Sequence, residues 1–174
     1  MKQITDNIWN LHKQGKYIVI PINGYIRKDG AAVMGRGLAY QASRKYPLLE
    51  LKLGVLLDEN YNKSTLTKDH HAHGQPLINQ PQIPVMSLSE DNLIFFPVKY
   101  NWWESANLTL IEKSCKNLLE HIHYNLALRP QDYPIYLPRV GCGNGKLKWA
   151  QVEPILNKYL NNESQFIICD NGDT

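Results

Sequence analysis

Four short runs constrain this chain more than any other feature: residues 17–22 (YIVIPI), 93–98 (LIFFPV), 135–137 between Pro134 and Pro138, and 166–169 (FIIC). Each is apolar on both of its alternating faces, which suits a strand covered on both sides by other elements. The stretches between them carry helical spacing. The clearest begins near Ser105, a residue able to cap, and sets Leu108, Ile111, Cys115, Leu118, Leu119 and Ile122 on one stripe, with Glu112, Lys113, Lys116, Asn117 and Glu120 opposite. A second helix is predicted over about 37–46, stopping before Pro47, because a residue preceding proline disfavours helical backbone angles. A third is predicted over about 149–160, with Val152, Ile155, Leu156, Tyr159 and Leu160 facing inward and Pro154 in its first turns.

Strands alternating with helices over 174 residues predict a single domain, 1–174, of the α/β class: three layers, α/β/α, around a mixed, mostly parallel central sheet. Ligands in such folds bind where loops leave the carboxyl ends of the strands. The residues just after each apolar run are therefore the place to search.

The run at 17–22 empties into Asn23 and a loop through Gly30, Val33, Met34, Gly35, Arg36 and Gly37 into a helix. Glycines let main-chain N–H groups come close to a ligand, and a helix amino terminus adds its dipole, so a phosphate could be held there. A glycine-rich turn without a ligand fits the same residues. The run at 135–137 empties into Gly141, Cys142, Gly143, Asn144, Gly145 and Lys146, again before a helix. This is no Walker A loop: three residues rather than four separate Gly141 from Gly145, and Leu147 stands where Ser or Thr is required. There is no GxGxxG fingerprint either.

The run at 93–98 ends on Lys99, followed by Trp102, Trp103 and Glu104. An amine beside partly apolar walls loses hydration, its pKa falls, and it becomes a nucleophile towards a sugar C1 carbon. A plain solvent-facing lysine at a strand end satisfies the same pattern. The tryptophans suit stacking on a base or ribose, and equally core packing.

Composition closes off other classes. Lys and Arg total 19 against 16 acids, too mild a bias for a dedicated nucleic-acid binder. Three widely spaced cysteines form neither a disulfide framework nor a zinc pair, and reduced thiols are expected. The first ten residues, MKQITDNIWN, lack a signal-peptide apolar run, and no run approaches the roughly 20 residues that cross a bilayer. A cytoplasmic protein without membrane contact is expected. Residues 62–84 have no apolar period and carry Pro76, Pro81 and Pro84, which predicts a long surface loop, a candidate flap over the site. Its His70, His71 and His73 lack partners at recognised ligand spacing, so no metal is expected.

Taken together, VIPIN (19–23), VMGRGLAYQ (33–41), FPVKYNWWESANLTLIEKS (96–114) and LPRVGCGNGKLKWAQVEPIL (137–156) resemble the macrodomain family. The likeness is greatest to its antitoxin branch, which reverses ADP-ribosylation of DNA, with the terminal ADP-ribose protein glycohydrolase of animals as a cousin. It spans about residues 4–166 except 62–84, and the joint occurrence of GCGNG-x-L-x-W with FPxK-x-x-W makes it specific.

The resemblance implies an ADP-ribosyl glycohydrolase that removes ADP-ribose from modified DNA or protein, needing no cofactor. Its implied partners are an ADP-ribosylated substrate, single-stranded DNA and a toxin. Asn7 and Ile8 would lie beside the adenine, Asn23 by the distal ribose, residues 33–37 around the diphosphate, and 141–145 on its other side. Lys99 matches the lysine to which these relatives owe glycohydrolase activity. Two alternatives share the pocket: an ADP-ribose 1''-phosphate phosphatase using water as nucleophile, and a non-catalytic ADP-ribose-binding module. Departures are visible as well. Gly145 stands where the animal cousin has an aspartate, Arg36 is an extra cation, and Arg27-Lys28-Asp29 lengthens the first loop. No separate toxin-binding domain is expected after residue 160.

Overall fold

A computed structural model describes residues 1–63, 73–77, 82–162 and 164–170. The chain runs β1 (Lys2–Thr5), α1 (Ile8–Lys13), β2 (Ile18–Asn23), α2 (Gly37–Lys45), α3 (Leu49–Lys63), β3 (Met86–Leu88), β4 (Leu93–Lys99), α4 (Leu108–His121), β5 (Ile135–Leu137), α5 (Trp149–Leu160) and β6 (Phe166–Asp170). One six-stranded sheet has the order β1-β6-β5-β2-β4-β3. Every pairing is parallel except that of β3, an antiparallel edge strand on β4.

The doubly apolar runs become the four inner strands, and alternate residues feed two cores. Ile18, Ile20, Ile22, Phe95 and Ile167 face Ile8, Ala39, Ala42, Leu53 and Leu57 of α1, α2 and α3. Val19, Ile94, Phe96, Leu137 and Ile168 face Ile111, Cys115, Leu118, Val152 and Leu156 of α4 and α5. Helices thus cover both faces, giving the three layers expected. Each such fully buried side chain contributes ~1.5–3 kcal/mol, so both helix layers are held firmly to the sheet.

Three helical details differ from the sequence expectation. α4 starts two residues later than a Ser105 cap implies: the Asn107 side chain accepts the Leu110 amide at 2.9 Å, the first-turn satisfaction that fixes a helix start. Leu119, placed on the buried stripe, is exposed, because the stripe rolls through Leu118 and Ile122 into the core. α3, over residues that gave no clear signal, buries Leu49, Leu53, Leu57 and Tyr61 at every fourth position and reaches Lys63, into the start of the expected 62–84 loop. Most of that loop, with His70 and His71, lies outside the described residues. No helix among the described residues is long and apolar enough to cross a membrane.

The parallel register places Asn23, Lys99, Leu137 and Asp170 at the same edge of the sheet. β2 and β5 are neighbours at its centre, yet the chain leaves β2 towards the α2–α3 layer and β5 towards the α5 layer. Loops departing to opposite faces open a crevice between them.

Candidate functional site

That crevice is a cleft of about 1110 Å³. Of the residues singled out above, Asn23, Val33, Met34, Gly35, Arg36, Gly37, Lys99, Gly141, Cys142, Gly143, Asn144 and Gly145 all line it. The two loops meet: a Cβ built on Gly37 would stand 3.1 Å from Asn144 Nδ2. Gly30, Asn7 and Ile8 do not line the cleft. Gly30 forms the turn of a small hairpin, its amide donating to the Arg27 carbonyl at 2.9 Å. The 27–29 insertion is therefore spent in that hairpin. Ile8 is buried in the core, and the Asn7 side chain caps α1 by accepting the Trp9 amide at 2.9 Å. Both residues adjoin the cleft wall through Asp6, whose amide donates to the Asp170 carbonyl at 3.1 Å.

The first loop, residues 24–36, is held by side chains and by α3. Asn23 Nδ2 donates to the Val33 carbonyl at 2.9 Å, while its Oδ1 accepts the Tyr25 amide at 3.0 Å. The Ala32 amide donates to the Glu50 carbonyl at 2.8 Å. At Gly54 the helix passes so close that any Cβ would collide with the Gly30 carbonyl oxygen. Among the described residues, the amides of Gly35, Arg36 and Gly37 donate to no protein acceptor, and they open α2. Unspent amides at a helix start suit an anion.

The second loop, residues 138–148, is held by backbone. The Ala106 amide donates to the Gly145 carbonyl at 2.8 Å, and the Leu147 amide to the Gly141 carbonyl at 3.1 Å. Gly141 has φ +73°, a backbone angle that favours glycine, and a Cβ there would press on the end of the Ile111 side chain at 2.8 Å.

Lys99 joins the two systems. It pairs in register with Asn23 across a β-bulge, and its amine donates to the carbonyls of Glu104 at 3.0 Å, Asn144 at 3.3 Å and Trp102 at 3.5 Å. Three carbonyl dipoles match the three protons of an ammonium. Burial works against that charge, as do Lys146 and Arg36, and outweighs the opposing pull of Glu104, so the pKa falls below the ordinary lysine value. A ligand must draw the amine off a carbonyl, and the Trp102 contact, the longest, gives way most easily.

The cleft is electropositive. Arg27, Lys28, Arg36, Lys99, Arg139 and Lys146 line it against Glu104 and Asp170, and Arg139 is paired to Asp170 at 2.9 Å. The thiols are poor nucleophiles: burial pushes Cys115 to about 12 and Cys169 to about 11, and raises Cys142. His73 lies 3.1 Å from Asp58, and the described residues contain no group of three or more side chains that could hold a metal. Sequence reasoning missed Tyr25, Gln41, Arg139, Cys169 and Asp170 in the cleft lining. The strand-end rule, applied to the run at 166–169, would have found the last two.

The same fold recurs in solved structures. The macrodomain of Thermus aquaticus DarG superposes with a TM-score of 0.66 at 22% identity, covering 97% of this chain and 96% of that one. That of Mycobacterium tuberculosis DarG gives 0.55 at 23% identity over 88% of each. The chain has the macrodomain fold. A third match, Thermosipho africanus DarTG in complex with ADP-ribose, gives 0.58 at 20% identity, covering 91% of this chain and 39% of that one. In sequence, the chain is 26% identical over 150 residues to a Thermus aquaticus DNA ADP-ribosyl glycohydrolase, covering 84% of this chain. The chain spans 36% of the length of that curated relative. No family model matches the chain.

Proposed function

We propose that this macrodomain binds ADP-ribose across its two glycine loops and cleaves the bond between the distal ribose and a base of single-stranded DNA. The observation that carries the reading is the Lys99 amine, with its depressed pKa, at the meeting point of the two loops in a basic cleft. The amides of residues 35–37 and of the second loop take the diphosphate, Asn23 orients the distal ribose, and Asn7 and Ile8 border the adenine end. The free amine of Lys99 adds to C1'' as the C1''–base bond breaks; the bond's electron pair leaves with the base, which takes up the proton shed by the lysine nitrogen. Water then adds to C1'' as the C1''–lysine bond breaks, its hydroxyl going to ADP-ribose and its other proton to the departing amine. The names of the curated relative and of the ADP-ribose complex support the ligand and the reaction class.

The deciding experiment incubates the protein with an ADP-ribosylated single-stranded oligonucleotide and, separately, with ADP-ribose 1''-phosphate. Free ADP-ribose from the oligonucleotide, lost in Lys99→Met, is the expected result; release of phosphate alone would replace the reading with the phosphatase.

One feature favours a second reading as a non-catalytic module: Gly145 supplies no carboxylate to the second loop. Calorimetric binding of ADP-ribose without cleavage of modified DNA or protein would establish it. The antitoxin resemblance also gives a DNA-modifying toxin as partner, tested by whether co-expression rescues cells from such a toxin.

A further inference from the structure

Trp102 and Trp103 line the cleft together with Lys99. Trp102 is 52% exposed and Trp103 46% exposed, although indoles ordinarily bury most of their surface. The Trp102 carbonyl is one of the acceptors of the Lys99 amine. Their rings lie 5.4 Å apart at 89°, and Tyr25 of the first loop holds Trp103 from another side at 5.4 Å and 72°. The pair therefore forms a right-angled corner rather than a flat platform.

The turn beneath the corner is anchored. Asn101, only 2% exposed, donates from Nδ2 to Glu104 Oε1 at 2.8 Å and from its amide to Oε2 at 3.0 Å, and its Oδ1 accepts the Leu77 amide at 2.9 Å. A preformed aromatic surface loses little entropy on binding.

We infer that the Trp102–Trp103 corner receives the base that carries the ADP-ribose and admits it only when that base is unstacked. This rests on the glycohydrolase reading above. Whatever is joined to C1'' must project from the Lys99 end of the cleft, where the corner stands. A planar base laid on one indole presents its edge to the other, an arrangement aromatic rings favour. Inside a duplex both faces of a base are already covered, so only a single-stranded or extruded base fits. Carboxylate or hydroxyl side chains of a protein target have no face to offer, and a guanidinium would meet the basic lining of the cleft.

The test uses the whole chain and three substrates of equal modification: an ADP-ribosylated single-stranded oligonucleotide, the same strand annealed to its complement, and an ADP-ribosylated peptide. In Trp102→Ala and Trp103→Ala, KM for the single strand should rise about tenfold with kcat less affected, as loss of one base–aromatic stack implies. Selectivity for oligonucleotide over peptide should fall by the same factor, and Trp102→Phe should restore most of it. The duplex should be the poorer substrate for wild type by a similar margin. Unchanged KM, an equal loss on peptide, or a duplex cleaved as well as the single strand overturns the inference. If wild type cleaves nothing, the glycohydrolase reading fails by itself. The corner is then decided by affinity for the modified oligonucleotide relative to the modified peptide: a ratio lowered by Trp102→Ala sustains it, an unaltered ratio ends it.

Discussion

The two loops that frame the cleft present similar glycine-rich backbones but are secured in opposite ways. The first is fixed from behind by the hydrophobic architecture: α3 crosses it at backbone contact through Gly54, and Asn23 holds its Val33 carbonyl. The second is fixed by backbone bonds, those of the Ala106 and Leu147 amides, and, from within the site, by the Lys99 amine on the Asn144 carbonyl. The difference teaches that one wall of the cleft is set by folding, while the other answers to the protonation and position of the proposed nucleophile.

The largest expected effect follows from removing that link. Lys99→Met should reduce ADP-ribose release by at least about a hundredfold, the scale of losing a principal charge-stabilising or nucleophilic group. It should also speed hydrogen exchange in residues 141–146 and leave 33–37 unaltered. Equal changes in both loops would erase the contrast. The pH profile sharpens it further. Because burial and the neighbouring cations favour the unprotonated amine, the rate should climb as pH rises through a midpoint below the usual lysine range and then level off. A flat profile from neutral to alkaline pH would assign Lys99 a purely positional role.

Next in size is a steric attack on the first loop alone. In Gly54→Ala the new methyl must push α3 off the Gly30 carbonyl, a strain of ~1–3 kcal/mol. In a chain of this size each kcal/mol lowers Tm by about 2–4 °C. Calorimetry should show ADP-ribose affinity falling with it, whereas Gly141→Ala should loosen the second loop and spare the first. Smaller again is Asn23→Ala, which frees one carbonyl and should weaken ADP-ribose binding by about fivefold, the worth of a typical hydrogen bond.

What was legible in the sequence follows the same division. Strands buried on both faces announce themselves, which is why β2, β4, β5 and β6 and both loops after β2 and β5 could be found. Edge elements do not: β1 is KQIT with little buried, and β3, as short as β5, buries only Met86 where β5 buries all three residues. α3 was missed because exposed Leu51 and Val55 sit among its buried leucines and blur the four-residue repeat. The same helix explains why Gly30 looked like a ligand residue. Its positive φ signals a turn, but only tertiary packing reveals that the Gly30 carbonyl abuts Gly54 of α3 while Arg27 and Lys28 of the same turn line the cleft. Of the three carbonyls around Lys99, those of Trp102 and Glu104 belong to the turn that follows it, but that of Asn144 comes from the distant second loop, and no local pattern encodes that meeting.

The smallest effect asks whether sterics or charge set the first loop. Arg27 of the hairpin pairs with Glu50 of α3 at 3.0 Å, and both side chains are partly exposed. A pair in that setting contributes about 0.2–1 kcal/mol and is screened by salt. Glu50→Gln should therefore lower Tm by no more than about 4 °C at low ionic strength, less at high salt, and shift ADP-ribose affinity by under about twofold. The backbone bond from the Ala32 amide to the Glu50 carbonyl survives the substitution, and so does the contact at Gly54. If Glu50→Gln instead matched Gly54→Ala in lost affinity, the ion pair would be the clasp. The first wall would then answer to charge just as the second does.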